Sequence, residues 1–167
     1  MNLKEFNSLS EYGAKLELFK CCGSTSWTNQ LVAKMPFSSL SELIEESDKI
    51  WENCVESDYL EAFTHHPKIG DISSLEKRFS STQQWAAGEQ ASVEKANQST
   101  LQQLAKGNEL YETKFGFIFI VCATGKGADE MLNLLNQRLP NNRSNEIKIA
   151  ATEQNKITHI RISKLFS

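Results

Sequence analysis

Apolar residues recur every three or four positions through most of this chain, and that period commits it to helices packed on one another. The clearest run is Leu40, Leu43, Ile44, Ile50, Trp51 and Cys54, which follows Ser39 and Glu42, a pair spaced as a capping box. Before it, 9–22 carries a mixed apolar pattern that ends at Gly23, a candidate C-cap, and "STSW" at 24–27 opens a short helix that stops at Pro36. After it, "SDYLEAFTH" runs into His66 and Pro67. Proline disfavours the α conformation of the residue before it, so His66 is expected where the helix lets go. A loop-like stretch to 80 follows, then a long helical region, 82–115, with an interruption expected near Gln98 and Ser99. Two further helices are expected. One covers 128–139, turns Met131, Leu134 and Leu135 inward and ends at Pro140; the other covers 144–165.

One segment departs from this pattern. "TKFGFIFIVCATGKG" at 113–127 sets three phenylalanines, two isoleucines and a valine around Gly116, then breaks at Gly125 and Gly127. It reads either as a buried strand or as a pocket wall that presents bare backbone amides at a glycine. The expectation is an all-α fold: a single-domain helical bundle over 1–167, with one short irregular or extended apolar piece near Phe117.

At 167 residues the chain can bury a sizeable core as one domain. A net charge of −3, with no basic arm and no lysine-arginine stripe among aromatics, gives no reason to expect nucleic acid. Cys21 and Cys22 are adjacent, Cys54 and Cys122 are isolated, and no CxxC occurs, so neither a disulfide framework nor a zinc site is expected. The first ten residues lack the apolar core of a signal peptide, and no apolar run reaches the length of a membrane span. "SKL" at 163–165 is followed by two more residues, and a peroxisomal address must be terminal. A cytoplasmic protein is expected.

Polar residues on apolar helix faces are the most informative positions. Ile147, Ala150, Gln154, Ile157 and Arg161 fall on one stripe of the last helix, which sets Arg161 one turn beyond Ile157, opposite Lys156 and His159. A guanidinium there requires an anion or several acceptors, or else it snorkels or pairs with a structural carboxylate. Trp85, Glu89 and Val93 share a face in the same way, with Gly88 beside the glutamate. That glycine costs about 1 kcal/mol against alanine in a helix interior, which suits close packing against the backbone; an exposed glutamate with a tolerated glycine is the alternative. His66 suits proton transfer near neutral pH, although a capping role and the neighbouring His65 remain open on composition alone. No pair of histidines is spaced to chelate a metal, and no GxSxG, phosphate loop or dinucleotide fingerprint occurs. Acid-base chemistry on a small anion, without cofactor or metal, is what remains. A metal-dependent hydrolase using His65, His66, Asp71 and His159 is the least favoured alternative.

These residues stand in an order that resembles a known family. "CCGSTSW" from Cys21, "ESDYLEAFTHHPKIGD" from Glu56, "EQASV" from Glu89, "NELYETKFGFIFIV" from Asn108 and "IRISKL" from Ile160 together resemble the decarboxylases of 2-oxo-4-hydroxy-4-carboxy-5-ureidoimidazoline (OHCU), across nearly the whole chain. Those enzymes complete urate oxidation to (S)-allantoin. The resemblance implies a cofactor-free carboxy-lyase of purine catabolism, acting as a homodimer on a small ureidoimidazoline. By position it places the catalytic pair on His66 and Glu89. Substrate contacts fall on Pro67, Gln90, Phe117, Ile118 and Arg161, and Phe115, Gly116 and Phe117 line the pocket with backbone groups. One departure stands out: many members have a serine three residues before the glutamate, where this chain has Ala86. Loss of that hydrogen bond would weaken binding by about 0.5–1.5 kcal/mol. An inactive helical ligand-binding module that keeps the scaffold is the alternative reading.

Overall fold

A computed structural model describes residues 1–66 and 90–167, the side chains of 90–97 excepted. Eight helices and no strand are found among the described residues: α1 (Leu3–Asn7), α2 (Glu11–Cys21), α3 (Thr25–Val32), α4 (Leu40–Glu52), α5 (Glu56–Thr64), α6 (Gln90–Phe115), α7 (Ala128–Arg138) and α8 (Arg143–Leu165). The expected loop before residue 80 and the start of the long helix lie outside the described residues. The chain forms two compact units, one of residues 1–66 and 147–167, the other of 67–146.

In the first unit α3 packs against α2, α4 and α5. Phe6, Leu18, Trp27, Leu31, Leu43, Trp51, Ala62 and Ile162 fill its core. Both core tryptophans satisfy their indole N–H, Trp27 on the Ser47 carbonyl at 3.2 Å and Trp51 on the Ala151 carbonyl at 2.9 Å. Helix starts follow side-chain capping: Ser10, Ser24 and Ser39 each accept from a backbone N–H three residues on, which satisfies a donor the helix cannot. The capping box at Ser39 is shifted by one residue. The Glu42 carboxylate takes the Ser38 backbone N–H and hydroxyl, both at 2.6 Å, rather than the Ser39 amide.

Gly23 follows α2 as expected, but not as a left-handed cap: the only positive-φ residues among those described are Gly116 and Gly125. Its reason is space. A Cβ at Gly23 would lie 2.6 Å from the Cβ, Cγ and Cδ2 atoms of His65.

In the second unit α6 and α7 pack side by side. α6 runs unbroken through Gln98 and Ser99, so the expected interruption is absent; glutamine is a good helix former and serine a middling one, and neither is a breaker. Of the residues assigned inward on α7, Met131 and Leu135 are buried and Leu134 is half-buried. The segment after Phe115 is irregular rather than a strand, as expected near Phe117. Gly116 turns the chain out of α6 with φ of 78°, a region costly for any residue with a Cβ. Phe117, Phe119, Ile120, Val121 and Cys122 are then buried, and Ile118 is half-buried.

Candidate active site

His66 closes α5, its backbone N–H bonded to the Phe63 carbonyl at 3.2 Å. His65, the preceding residue, stacks edge-on against Phe19 with ring centroids 4.9 Å apart. The two histidines thus separate: His65, itself exposed, lies against Phe19 of α2, and His66 presents its ring to α8. There the His66 Nε2 is hydrogen-bonded to the side-chain oxygen of Gln154. Gln154 is fully buried, and its amide nitrogen donates to the Thr158 hydroxyl at 3.2 Å. Thr158 in turn donates to the Gln154 backbone carbonyl at 3.1 Å.

Half-burial holds His66 below its ordinary value of 6.5. The Gln154 acceptor opposes this, and the positive charge of Arg161, with a smaller effect of His65, adds to it. The ring is neutral at pH 7.

Arg161 is half-buried at the edge of the buried face of α8, not on it. The buried residues of that helix beyond Ile147 are Ala150, Ala151, Gln154, Thr158 and Ile162. Their stripe lies one position away from the expected one through Ile157. The Arg161 Nη1 donates to the carbonyls of Cys21 at 3.3 Å and Lys20 at 3.4 Å, where the last turn of α2 leaves acceptors unmatched. These are long contacts, and no carboxylate pairs with Arg161 among the described residues. Most of its N–H donors therefore face no protein acceptor there.

Cys21 and Cys22 flank this site. Burial pushes their thiols up to about 11 and about 12, with Arg161 pulling weakly the other way, so both stay protonated and neither is a nucleophile. His159, expected on the solvent side with Lys156, keeps a partly exposed side chain and pairs there with Asp48 at 2.6 Å, a carboxylate that also accepts from Asn155. The three histidines have separate partners, and no three His, Cys, Asp or Glu side chains come together as metal ligands among the described residues.

Phe117 and Ile118 belong to the second unit. The Phe117 ring meets the edge of Tyr111 at 5.8 Å, and Arg138 fixes the segment by donating to the Ile120 carbonyl at 2.7 Å. Arg138 is itself held by Glu146 and Tyr111, and Arg143 donates to the Phe115 carbonyl at 3.0 Å. Of the remaining expected site residues, Pro67 and Glu89 lie outside the described residues, as do Ala86 and Asp71; Gln90 opens α6, its side chain outside them too. Gln154, which the structure sets against His66, was not among the expected site residues. Its signal was the one that marked Arg161, a polar side chain on an apolar stripe.

A sequence model of the OHCU decarboxylase family matches residues 7–163. The chain belongs to that family. Among its relatives, a uric acid degradation bifunctional protein of Arabidopsis thaliana is 41% identical over 148 residues, covering 88% of this chain and 45% of that protein. A uric acid degradation bifunctional protein of Bacillus sp. (strain TB-90) is 29% identical, covering 99% of this chain and 32% of its own length. The chain thus spans less than half of each of these two relatives. The 2-oxo-4-hydroxy-4-carboxy-5-ureidoimidazoline decarboxylase of Xenopus laevis is 28% identical, with 99% of this chain and 95% of that protein covered. A crystal structure of an OHCU decarboxylase in the presence of (S)-allantoin is 40% identical, with a TM-score of 0.72 over 90% of this chain and 96% of that one. An (S)-allantoin synthase crystal structure, 16% identical with a TM-score of 0.72 over 100% of this chain and 54% of that one, shares the all-α fold.

Proposed function

We propose that this protein decarboxylates OHCU to (S)-allantoin in urate degradation, without a cofactor. The observation that carries this reading is a half-buried, neutral His66 beside an arginine most of whose donors meet no acceptor among the described residues, within a chain that matches the family from residue 7 to 163. The substrate carries a hydroxyl and a carboxylate on one ring carbon, next to a C=N bond. When the bond to the carboxylate breaks, its electron pair moves toward the adjacent carbon as the C=N accepts charge, and CO2 leaves. The enol so formed becomes a carbonyl as its hydroxyl proton departs, the neighbouring carbon gains a proton on one face, and the nitrogen that took up the charge is protonated from water. No external electron sink is needed, so positioning and electrostatics carry the catalysis.

Neutral His66 accepts the hydroxyl proton and returns one to the ring. Arg161 holds a part of the substrate that keeps or gains charge; a clamp on the departing carboxylate would favour the ground state instead. Orientation of His66 or substrate by Glu89, and contacts through Pro67, Gln90, Phe117 and Ile118, rest on the sequence motifs. So do a homodimer, a cytoplasmic location and the working of 1–167 as one domain. No helix among the described residues is long and apolar enough to cross a membrane.

The test generates OHCU in place from urate with urate oxidase and hydroxyisourate hydrolase, and follows the circular dichroism of (S)-allantoin. Fast build-up of one enantiomer, lost in His66→Ala, is expected. A trace no faster than spontaneous racemic decay overturns the assignment.

A further inference from the structure

We propose that Gln154 is a positioning residue that holds His66 with its proton on Nε2, leaving Nδ1 as the nitrogen that exchanges protons with substrate. This rests on the reading of His66 as the proton-transfer group.

The geometry fixes each proton in turn. Thr158 has one hydroxyl proton, and its acceptors are the Gln154 backbone carbonyl one turn back and the Cys22 sulfur, not the Gln154 side chain. The Thr158 oxygen can then only accept, and it accepts from the Gln154 amide nitrogen. That orients the amide, because its two ends are not interchangeable once one of them must donate. The other end, the carbonyl-type oxygen, faces His66 Nε2. Oxygen against a bare ring nitrogen would set two lone pairs against each other, so Nε2 carries the hydrogen. A neutral imidazole has one N–H, and Nδ1 is therefore the free base. Gln154 has no solvent to fall back on, being fully buried, so its orientation is not averaged by water. Among the described residues, the charged and titratable groups that act on the ring are Arg161 from α8 and His65 from the end of its own helix, and neither donates or accepts at Nε2.

The readouts are the His66 ring-nitrogen shifts by NMR, and kcat, KM and the acid limb of the pH profile, in the full-length protein. Gln154→Leu removes the acceptor and keeps the bulk of the side chain. It is expected to keep KM nearly unchanged and to lower kcat by about tenfold to a hundredfold, the scale of a misplaced reacting group. The acid limb should also move to lower pH, because the Gln154 acceptor favours the protonated ring. Thr158→Val, which frees the amide to rotate, should mix the two His66 tautomers while Gln154 is still present. A His66 tautomer and acid limb identical to the parent protein in both variants would overturn the proposal, whatever happens to kcat. If the parent protein fails to decarboxylate OHCU, the proposed function fails, yet the nitrogen shifts still decide the role of Gln154.

Discussion

Gly23 lies so close to His65 that a Cβ on the glycine would sit 2.6 Å from the histidine's own Cβ. The contact joins the chain just after α2 to the end of α5, and the next residue is His66. Because the clash is with an atom bound to the backbone, side-chain rotation cannot relieve it. Gly23→Ala is therefore expected to cost about 1–3 kcal/mol, the range for overpacking a tight interior, and to lower kcat by displacing His66. Gly107→Ala is the control: its Cβ would meet the Cδ2 of Leu135 at 2.5 Å, a branch end that can turn away. Chemical denaturation of both variants, with kcat measured alongside, checks the order of the two costs.

Burial, reinforced by Arg161, holds the His66 pKa below 6.5. In activity this puts the acid limb of kcat/KM below the ordinary histidine range, since only the neutral ring accepts the substrate's proton. In stability the sign follows from proton counts. Between the folded value and 6.5 the unfolded chain binds more protons, so the contribution is complete above 6.5 and is lost as pH falls through the folded value. His66→Asn should remove that part of the acid destabilisation. Urea titrations of the parent protein and His66→Asn at several pH values between 4 and 8 measure it; parallel curves would show that His66 does not titrate below its ordinary value.

Arg161 separates structural from functional roles unusually well. Its contacts among the described residues are two long hydrogen bonds to α2 carbonyls, so Arg161→Ala should cost about 1 kcal/mol or less in stability. In activity the same change should cost about a hundredfold or more, the loss for one preorganised donor aimed at developing charge. Arg161→Lys should not recover it, because a single ammonium cannot reproduce the guanidinium fork. Comparing the melting temperature and kcat/KM of the two variants checks this; a large fall in stability with unchanged activity would make Arg161 a brace for α2.

Much of this arrangement was legible in the sequence, for identifiable reasons. Helix periods placed α4, α5, α7 and α8 within a residue or two, and Pro67 located His66 at a helix end. What failed was fine rotation. The stripe through Ile157 and Arg161 was one position off the buried face through Thr158 and Ile162, because a helix of 23 residues leaves several faces of similar apolarity. Gly23 was read as a cap because sequence shows that a glycine is present, not whether backbone angle or crowding demands it. Tyr111, Lys114 and Gly116 were legible as parts of a motif. The glycine itself signals the positive-φ turn at Gly116, but the buried hydroxyl of Tyr111 and the Lys114 bond to the Leu139 carbonyl at 2.6 Å depend on partners across the second unit that no local pattern encodes.

The pairing that the sequence hid most completely is Arg138 with Glu146. Both are buried, with Nε and Nη2 each 2.6 Å from one carboxylate oxygen. Every exposed corner of the pair is satisfied: Tyr111 donates to the same oxygen, Asn141 donates to the other at 2.8 Å, and Arg138 reaches the Ile120 carbonyl. Burial also pushes the Tyr111 hydroxyl far above its ordinary value, so it remains a donor. Such a pair adds little net stability over apolar residues, yet removing one partner strands a buried charge. Glu146→Leu is expected to cost about 3–5 kcal/mol. The double variant Arg138→Met/Glu146→Leu should recover part of that, but not all, since the Ile120 carbonyl loses its donor and the 117–122 segment loses its anchor. Urea denaturation of the single and double variants measures the difference. A double variant no better than Glu146→Leu alone would mean that the carbonyl contact, not the stranded charge, dominates the cost.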